Sequence, residues 1–275
     1  MFYKSLVQRI KKIFFPFYKN SEINFVFKRL QDGQPKNYKT AMFVGGCVRK
    51  YLSNEDIDDI DIATTLNIDE IKEKFKETNF KVIESGLKHG SLTLVSKKLK
   101  LEITTLRKDI KTDGRHAEIE ITDNWQLDSN RRDFTINAIY LDINGKVFDP
   151  QFGTNDLKNC NVKFIGDPQK RIEEDYLRIL RFIRFSVEYG SQVEATTIKA
   201  IKLNLDGIKQ ISKERIFIEL LKILSLKNFL SLAQNKDLKE IFLLIFPELK
   251  YLDRLNKLIE FSNELLLDNT TLLAI

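Results

Sequence analysis

The chain has 275 residues, of which 43% are apolar and 31% charged, a composition that excludes an intrinsically disordered protein. Lysine and arginine outnumber aspartate and glutamate by 45 to 39, so the net charge of +6 favours an anionic partner without identifying it. Two cysteines, Cys47 and Cys160, exclude a disulfide framework and suit a cytoplasmic location. The longest apolar runs, such as Ile241–Phe246, are too short for a membrane span.

Residues 1–36 are basic and aromatic and predict a helix followed by a linker, which together form an N-terminal arm. A signal peptide would need a longer apolar stretch and a small-residue cleavage site. Basic amphipathic segments are more often solvated than bound to RNA or to a membrane surface, so contact with either is the minor alternative.

Residues 37–155 predict a mixed α/β domain. A strand over Met42–Val44 leads through a Gly45-Gly46 turn into a helix over Cys47–Leu52. The next strand, Ile57–Ala63, alternates apolar and acidic residues, which places Asp59 and Asp61 on one face. The polar segment Lys108–Asn124 predicts a mobile loop. The other patterns are a helix over Asn67–Thr78 and strands over Lys81–Ile83, Ser91–Val95, Leu99–Leu106 and Glu118–Ile121.

After Asp149-Pro150 the patterns become helical, with little strand signal. We expect residues 156–225 and 226–275 to be two successive helical regions, so the fold class is α+β. The predicted helices are Arg171–Tyr189, Val193–Leu203, Ser212–Leu224, Lys227–Gln234, Leu238–Ile245 and Leu255–Leu267.

The glycine turn and the two aspartates that follow it predict a phosphate site beside a metal site. Glycines between a strand and a helix allow backbone N–H groups to approach a phosphate. Asp59 and Asp61 are carboxylates on one strand face, which can hold hard cations such as Mg²⁺. Each feature alone is weak, and together they indicate nucleotidyl transfer.

Five ordered motifs resemble the family of class II tRNA nucleotidyltransferases and bacterial poly(A) polymerases. The motifs are Phe43-Val-Gly-Gly-Cys-Val-Arg49, Asp59-Ile-Asp-Ile-Ala-Thr64, Arg131-Arg-Asp-Phe-Thr-Ile-Asn-Ala138, Glu174-Asp-Tyr-Leu-Arg-Ile-Leu-Arg-Phe-Ile-Arg-Phe185 and Glu214-Arg-Ile-Phe-Ile-Glu219. The resemblance implies a polymerase-β-like nucleotidyltransferase head with a mixed sheet, a helical neck and part of a helical body.

The resemblance also implies roles for individual head residues. Asp59 and Asp61 would be catalytic ligands of two Mg²⁺ ions, and Glu102 a third catalytic carboxylate unless it is only a solvated strand residue. The residues expected to bind the nucleotide are Gly45, Gly46, Arg49, Arg132, Asp133 and Asn137. For the last three, a capped and salt-bridged helix start is the structural alternative.

Four charged residues of the predicted neck recur every third position and would share one side of a helix: Asp175, Arg178, Arg181 and Arg184. The resemblance implies that Asp175 and Arg178 read the base and that the other two lie nearer the phosphates. A carboxylate beside a guanidinium matches cytosine and adenine, whereas uracil and guanine would leave buried polar groups unpaired. An exposed charged helix face is the alternative.

The expected activity is addition of CMP and AMP from CTP and ATP to the 3′ end of tRNA. Alternatives are a poly(A) polymerase, an enzyme adding only CC or only A, and a noncatalytic RNA-binding relic. Ala63–Phe75 lacks the basic signature that we associate with the polymerases, which favours tRNA.

Two departures from the family pattern affect these expectations. Lys50 stands where the family usually has aspartate, which leaves the orientation of Arg49 open. The chain also stops before the expected tail, so RNA binding is expected to be weak or to depend on a second chain or a homo-oligomer. We expect His89 to be structural and His116 to lie in a surface loop.

Overall fold

A computed structural model describes residues 16–87, 90–112, 117–190 and 193–250 of the chain. These residues divide into two compact units: the first contains the residues up to Lys111 and Ala117–Lys158, and the second contains Thr112 and the residues from Asn159 onward. The helices in these ranges all fall short of the length and apolar character needed to cross a membrane.

Nine strands occur in the described ranges, and seven of them form one sheet in the order β3-β4-β5-β2-β1-β8-β9. Its pairs are antiparallel except for β2 and β5, which run parallel. β6 and β7 form a separate two-stranded sheet. The strands are β1 Ala41–Val44, β2 Ile60–Thr64, β3 Lys81–Gly86, β4 Ser91–Val95, β5 Lys100–Thr105, β6 Arg107–Thr112, β7 Ala117–Ile121, β8 Tyr140–Leu141 and β9 Val147–Phe148.

Helices accompany the sheet in the first unit and make up the second, which confirms the predicted α+β class. Those of the first unit are α1 Ser21–Gln31, α2 Gly46–Leu52, α3 Ile68–Phe75, α4 Trp125–Asn130 and α5 Gly153–Lys158. Those of the second are α6 Pro168–Glu174, α7 Leu177–Tyr189, α8 Ala195–Leu203, α9 Lys213–Leu224 and α10 Lys236–Ile245. Short 3-10 helices lie at Phe17–Lys19, Thr135–Asn137, Leu205–Gln210, Phe229–Gln234 and Pro247–Leu249.

Helix α1 belongs to the core of the first unit, so this unit includes residues of the predicted arm. Asn20 caps the helix by accepting hydrogen bonds from the backbone N–H groups of Glu22 and Ile23 at 2.8 and 3.4 Å. Its buried residues follow helical spacing: Ile23, Val26, Phe27 and Leu30. Residues 1–15 of the predicted arm lie outside the described ranges.

The two faces of the large sheet differ in what covers them. One face packs into the main core through residues such as Phe43, Ile62 and Ile103. On the other face, Ala63 belongs to a small cluster that includes Tyr140. Because side chains alternate along a strand, Asp61 shares this second face with Ala63. The main core therefore supports the sheet from behind the acidic face.

Two elements of the first unit differ from the sequence prediction. Strand β2 begins at Ile60 rather than Ile57 because Asp58 forms an ion pair with Lys50 at 2.7 Å instead of joining the ladder. Within the expected loop over Lys108–Asn124, β7 corresponds to the strand predicted over Glu118–Ile121, whereas β6 was not predicted. An ion pair between Lys108 and Glu120 (3.0 Å) joins the two strands.

In the second unit, two helices replace the single helix predicted over Arg171–Tyr189. Asp175 interrupts them with extended backbone angles, φ −158° and ψ 105°. Its carboxylate accepts a hydrogen bond from the backbone N–H of Leu177 at 3.1 Å, which starts α7 anew. The predicted helix Leu255–Leu267 lies outside the described residues.

Candidate active site

The turn between β1 and α2 depends on glycine. Gly45 has φ 73° and ψ −133°, a conformation that other residues rarely adopt. A Cβ atom on Gly45 would lie 3.3 Å from the Asp61 carboxylate, whereas one on Gly46 would meet open space. A ligand can therefore approach the backbone at Gly46 beside the Asp61 carboxylate.

The strand register brings two of the predicted carboxylates side by side. Asp61 of β2 pairs with Glu102 of β5, and Phe43 of β1 pairs with Ile62. Asp61 therefore adjoins both Glu102 and the end of β1. Asp59 and Glu102 are exposed, whereas Asp61 is half-buried.

Burial and the neighbouring negative charges raise the pKa of Asp61 to about 6. Burial raises this pKa most, followed by the charge of the Glu102 carboxylate, and the charge of Asp59 raises it further. The cations of Arg132 and Arg49 lower it. Negative charge is thus concentrated at this point of the sheet.

Asp59 and Asp61 suit a hard cation that takes only a few of its ligands from the protein. Among the described residues, no group of three or more His, Cys, Asp or Glu side chains forms a metal cluster. Mg²⁺ commonly takes one or two carboxylates and completes its coordination with water and substrate phosphates. A pair of aspartates in a region of excess negative charge meets that requirement.

A buried hydrogen-bond chain holds Arg49. Its guanidinium donates to Oδ1 of Asn137, and the Asn137 amide donates to Asp133 Oδ1 at 2.9 Å. The same carboxylate oxygen accepts from the backbone N–H of Phe134 at 2.8 Å. Asp133 thereby fixes the Asn137 amide with its oxygen toward Arg49, so the arginine is oriented although Lys50 pairs elsewhere, with Asp58.

Sequence reasoning missed Asp128, the centre of a buried network that holds Arg132. Asp128 accepts hydrogen bonds from Arg131 at 2.8 Å, Arg132 at 3.0 Å and the Tyr140 hydroxyl at 2.7 Å. Although burial alone would raise the pKa of Asp128, the cations of Arg132 and Arg131 lower it to about 2. The two arginines follow the end of α4 and precede the short 3-10 helix Thr135–Asn137. The i, i+3 and i, i+4 spacing was the available signal.

The predicted base-reading residues lie in the second unit, where each has a local partner. Asp175 accepts a hydrogen bond from Arg215 at 2.8 Å, and Arg178 donates to Glu174 at 2.6 Å. Asp175 precedes α7, so the expectation that all four charged residues share one helix is wrong for this residue.

The other two arginines of the group contact an aromatic ring. The guanidinium groups of Arg181 and Arg184 lie 5.5 and 4.0 Å from the ring centre of Phe185. Arg184 also donates to the buried carboxylate of Glu219 on α9. Its predicted role near the phosphates stays a prediction.

The remaining reactive side chain in the described residues near this turn, Cys47, lies in a buried structural environment. Cys47 is buried and its thiol donates to the carbonyl of Val44 at 3.3 Å, and burial raises its pKa to about 12. A thiol that stays protonated is a poor nucleophile. His89 and His116 lie outside the described residues.

Comparison with known protein families identifies the first unit by class. Residues 41–163 match the poly A polymerase head domain, and residues 190–252 match a family described as the probable RNA and SrmB-binding site of polymerase A.

Similar sequences carry names from one group of enzymes. The CCA tRNA nucleotidyltransferase 1, mitochondrial, of Danio rerio is 45% identical over 194 residues, which cover 69% of this chain and 45% of that protein. The CCA-adding enzyme of Staphylococcus saprophyticus is 40% identical over 185 residues, covering 66% of this chain and 45% of that protein. The chain thus spans about half the length of these relatives.

Solved structures agree with the sequence matches. The Bacillus stearothermophilus CCA-adding enzyme in complex with CTP superposes with a TM-score of 0.66 at 32% identity, over 77% of this chain and 51% of that one. A CCA-adding enzyme in complex with ATP gives a TM-score of 0.62 at 28% identity, over 79% of this chain and 51% of that one. The chain belongs to the family of CCA-adding enzymes and poly(A) polymerases, which confirms the resemblance seen in its motifs.

Proposed function

We propose that the chain adds CMP and AMP to the 3′ end of tRNA, taking CTP and ATP as substrates and using no nucleic-acid template. The observation that carries the proposal is the register of Asp61 beside Glu102, next to the glycine turn after β1. The names of the relatives and the CTP and ATP in the similar structures support this substrate class.

Asp59 and Asp61 would hold Mg²⁺, with Glu102 as the third catalytic carboxylate. When bound, the metal would favour loss of the proton from the 3′ hydroxyl and neutralise charge on the phosphates. The shift in the pKa of Asp61 supports this assignment, because carboxylates that repel one another favour binding of a cation.

The remaining head residues would position the incoming nucleotide. The Gly45-Gly46 turn brings backbone close to the phosphates, and Arg49 and Arg132 supply positive charge there. Asp133 and Asn137 would order the site and the sugar. The two hydrogen-bond networks centred on Asp133 and Asp128 support these roles, because they fix both arginines before a substrate arrives.

Asp175 and Arg178 would select the base. The carboxylate accepts from the amino group of cytosine or adenine, and the guanidinium donates to the neighbouring ring nitrogen. The existing ion pairs with Arg215 and Glu174 would preorient both side chains, which preserves the geometry of the pair between substrates. Arg181 and Arg184 would contribute positive charge nearer the phosphates.

The test supplies each nucleoside triphosphate alone, and CTP with ATP, to a tRNA transcript that ends at its discriminator base. With Mg²⁺ we expect CTP to be incorporated, ATP to follow only after CTP, and UTP and GTP to be rejected. Chelation of the metal by EDTA should stop all incorporation.

The alternatives give different products in the same assay. Long adenylate tails from ATP alone would identify a poly(A) polymerase. Products that stop at CC, or that form only on a CC-ended tRNA, would identify a partial enzyme. RNA binding without incorporation by the folded chain would contradict the proposal and indicate a noncatalytic RNA-binding protein.

Measurements of tRNA affinity test whether this chain needs additional protein surface to bind tRNA tightly. Phosphate contacts govern both the affinity and the salt dependence of RNA binding. We expect weak, salt-sensitive tRNA binding by this chain, improved by a second chain or by self-association; tight, salt-insensitive binding would contradict this. A cytoplasmic location stays a prediction, since the vertebrate relatives are named as mitochondrial.

A further inference from the structure

The most exposed large apolar side chain in the described residues is also in a strained backbone conformation. Phe152 is 78% exposed and has φ 57°, in the left-handed region that residues with side chains avoid. Burial gives no reason for an aromatic residue here, and asparagine or glycine would fit the backbone better. Strain of this kind is often found at binding positions.

The loop that carries Phe152 is firmly anchored on both sides of it. The Asp149 carboxylate accepts hydrogen bonds from the backbone N–H groups of Gly153 and Thr154, both at 2.8 Å. The amide of Gln151 donates to Ser129 at 2.8 Å and to Asn130 at 2.6 Å. The ring is therefore presented to solvent by a rigid loop.

The same loop packs directly against the segment that orders the candidate active site. A Cβ atom on Gly153 would collide with the carbonyl of Thr135, so the two backbones are in close contact. Thr135 lies between Asp133 and Asn137, which hold Arg49. The hydroxyl of Thr135 also donates to Asp156 at 2.7 Å, which ties α5 to this segment.

We propose that Phe152 is a stacking platform for an unpaired nucleobase of the RNA substrate near its 3′ end. This inference rests on the proposed function, because it assigns a contact to the polynucleotide rather than to the incoming nucleotide. A base stacks on an aromatic face whatever its identity, so one exposed ring can position different tRNA ends.

The surroundings of Phe152 favour a nucleobase over a protein partner. Polar residues lie near Phe152 in the chain, namely Gln151 and Thr154, and Gln151 hydrogen-bonds to a third polar residue, Asn130. A protein interface would need a contiguous apolar patch rather than one ring among amides and hydroxyls. The chain carries a net charge of +6, which suits an RNA strand.

The experiment compares Phe152→Asn, Phe152→Leu and Phe152→Tyr in the full chain. The probe is a fluorescein-labelled tRNA transcript that ends at its discriminator base, titrated by anisotropy at one fixed salt concentration. We expect the Kd to rise about tenfold for the Asn and Leu variants and to stay within about twofold for Tyr. The KM for tRNA should rise with the Kd, whereas the KM for CTP should not change.

Thermal unfolding separates this role from a structural one. Asparagine tolerates the left-handed conformation, so the Phe152→Asn variant should have a Tm equal to or above that of the wild type. Ile83→Ala, at a 40% exposed residue of β3 outside the segment that matches the RNA-binding family, is the control for loss of an exposed apolar side chain.

Three results would overturn the inference. The first is an Asn variant with a normal tRNA Kd, whatever its Tm. The second is an equal loss of binding by Ile83→Ala. The third is wild-type self-association that Phe152→Asn abolishes without a change in tRNA binding, which indicates a protein contact. A wild type that binds tRNA through Phe152 but incorporates no nucleotide would contradict the proposed function and leave this contact supported.

Discussion

Replacement of Asp128 by asparagine tests whether the buried network holds the first unit together. The substitution keeps the size of the side chain but removes its charge. Arg131 and Arg132, whose side chains are only 13% and 15% exposed, then lose their counterion. We expect this variant to be much less stable than the wild type and to bind nucleotides weakly, because Arg132 is no longer held in place.

Two independent arguments give the size of the effect. Removal of one partner from a buried ion pair costs about 3–5 kcal/mol. The fall in the pKa of Asp128 from 3.8 to about 2 corresponds to roughly 2 kcal/mol of stabilisation of the charged form. Since the arginines keep slight contact with water, we expect a loss of about 2–3 kcal/mol in the free energy of unfolding.

Urea unfolding monitored by circular dichroism measures this loss, and its pH dependence checks the cause. Because the folded pKa lies below the unfolded one, the Asp128 contribution is present above the unfolded pKa and is lost as the pH falls toward 2. The Asn variant should lack that part of the acid response. Tyr140→Phe, which removes the hydroxyl's hydrogen bonds to Asp128 and from Arg132 but leaves both arginines paired with Asp128, should cost about 1.5 kcal/mol. If Asp128→Asn unfolds at the wild-type urea concentration, the network does not stabilise the fold.

Three further substitutions test the candidate site. Asp61→Asn should reduce CTP incorporation more than about a hundredfold. Its Tm should be unchanged or higher, since a repelled charge is removed. In the matched control Asp58→Asn, CTP incorporation should stay within about threefold of the wild type; equal losses in the two variants would refute the metal assignment. Arg178→Ala should let UTP compete with CTP in a mixed-nucleotide assay, and an equal fall for all four nucleotides would exclude base reading. Gly45→Ala should lower the free energy of unfolding by about 1–3 kcal/mol and impair CTP incorporation, because alanine is strained at this φ and ψ. Wild-type stability and turnover would contradict the close approach of the Gly45 backbone to Asp61.

The parts of the fold that sequence predicted depend on local patterns. The strand, glycine turn and helix over residues 41–52 were anticipated because the apolar run and both glycines are adjacent in the chain. Strands β8 and β9 were missed because each has two residues, and only their pairing with β1 and with each other makes them strands. A helix was predicted within residues 1–36, but its place in the core was not, although Ile23, Val26, Phe27 and Leu30 follow a helical period.

In the candidate site, too, local sequence patterns predicted the residues but not the contacts between residues that are distant in the chain. The family motifs identified the residues, but they gave no sign that Asn137 would orient Arg49 from a position 88 residues away. The break at Asp175 was missed because the apolar periodicity continues through it, while an aspartate side chain that binds the backbone two residues ahead can end a helix without glycine or proline.

The parallel pairing of β2 with β5 has a consequence for the order in which the first unit folds. The chain between these strands contains α3 and the β3–β4 hairpin. Closing such a long loop is slow relative to forming a hairpin, because its entropy is lost before the new contacts form. We therefore expect the Asp61–Glu102 juxtaposition to form late in folding. Substitutions that weaken the β3–β4 hairpin should delay the appearance of activity during refolding, even where the final fold is reached.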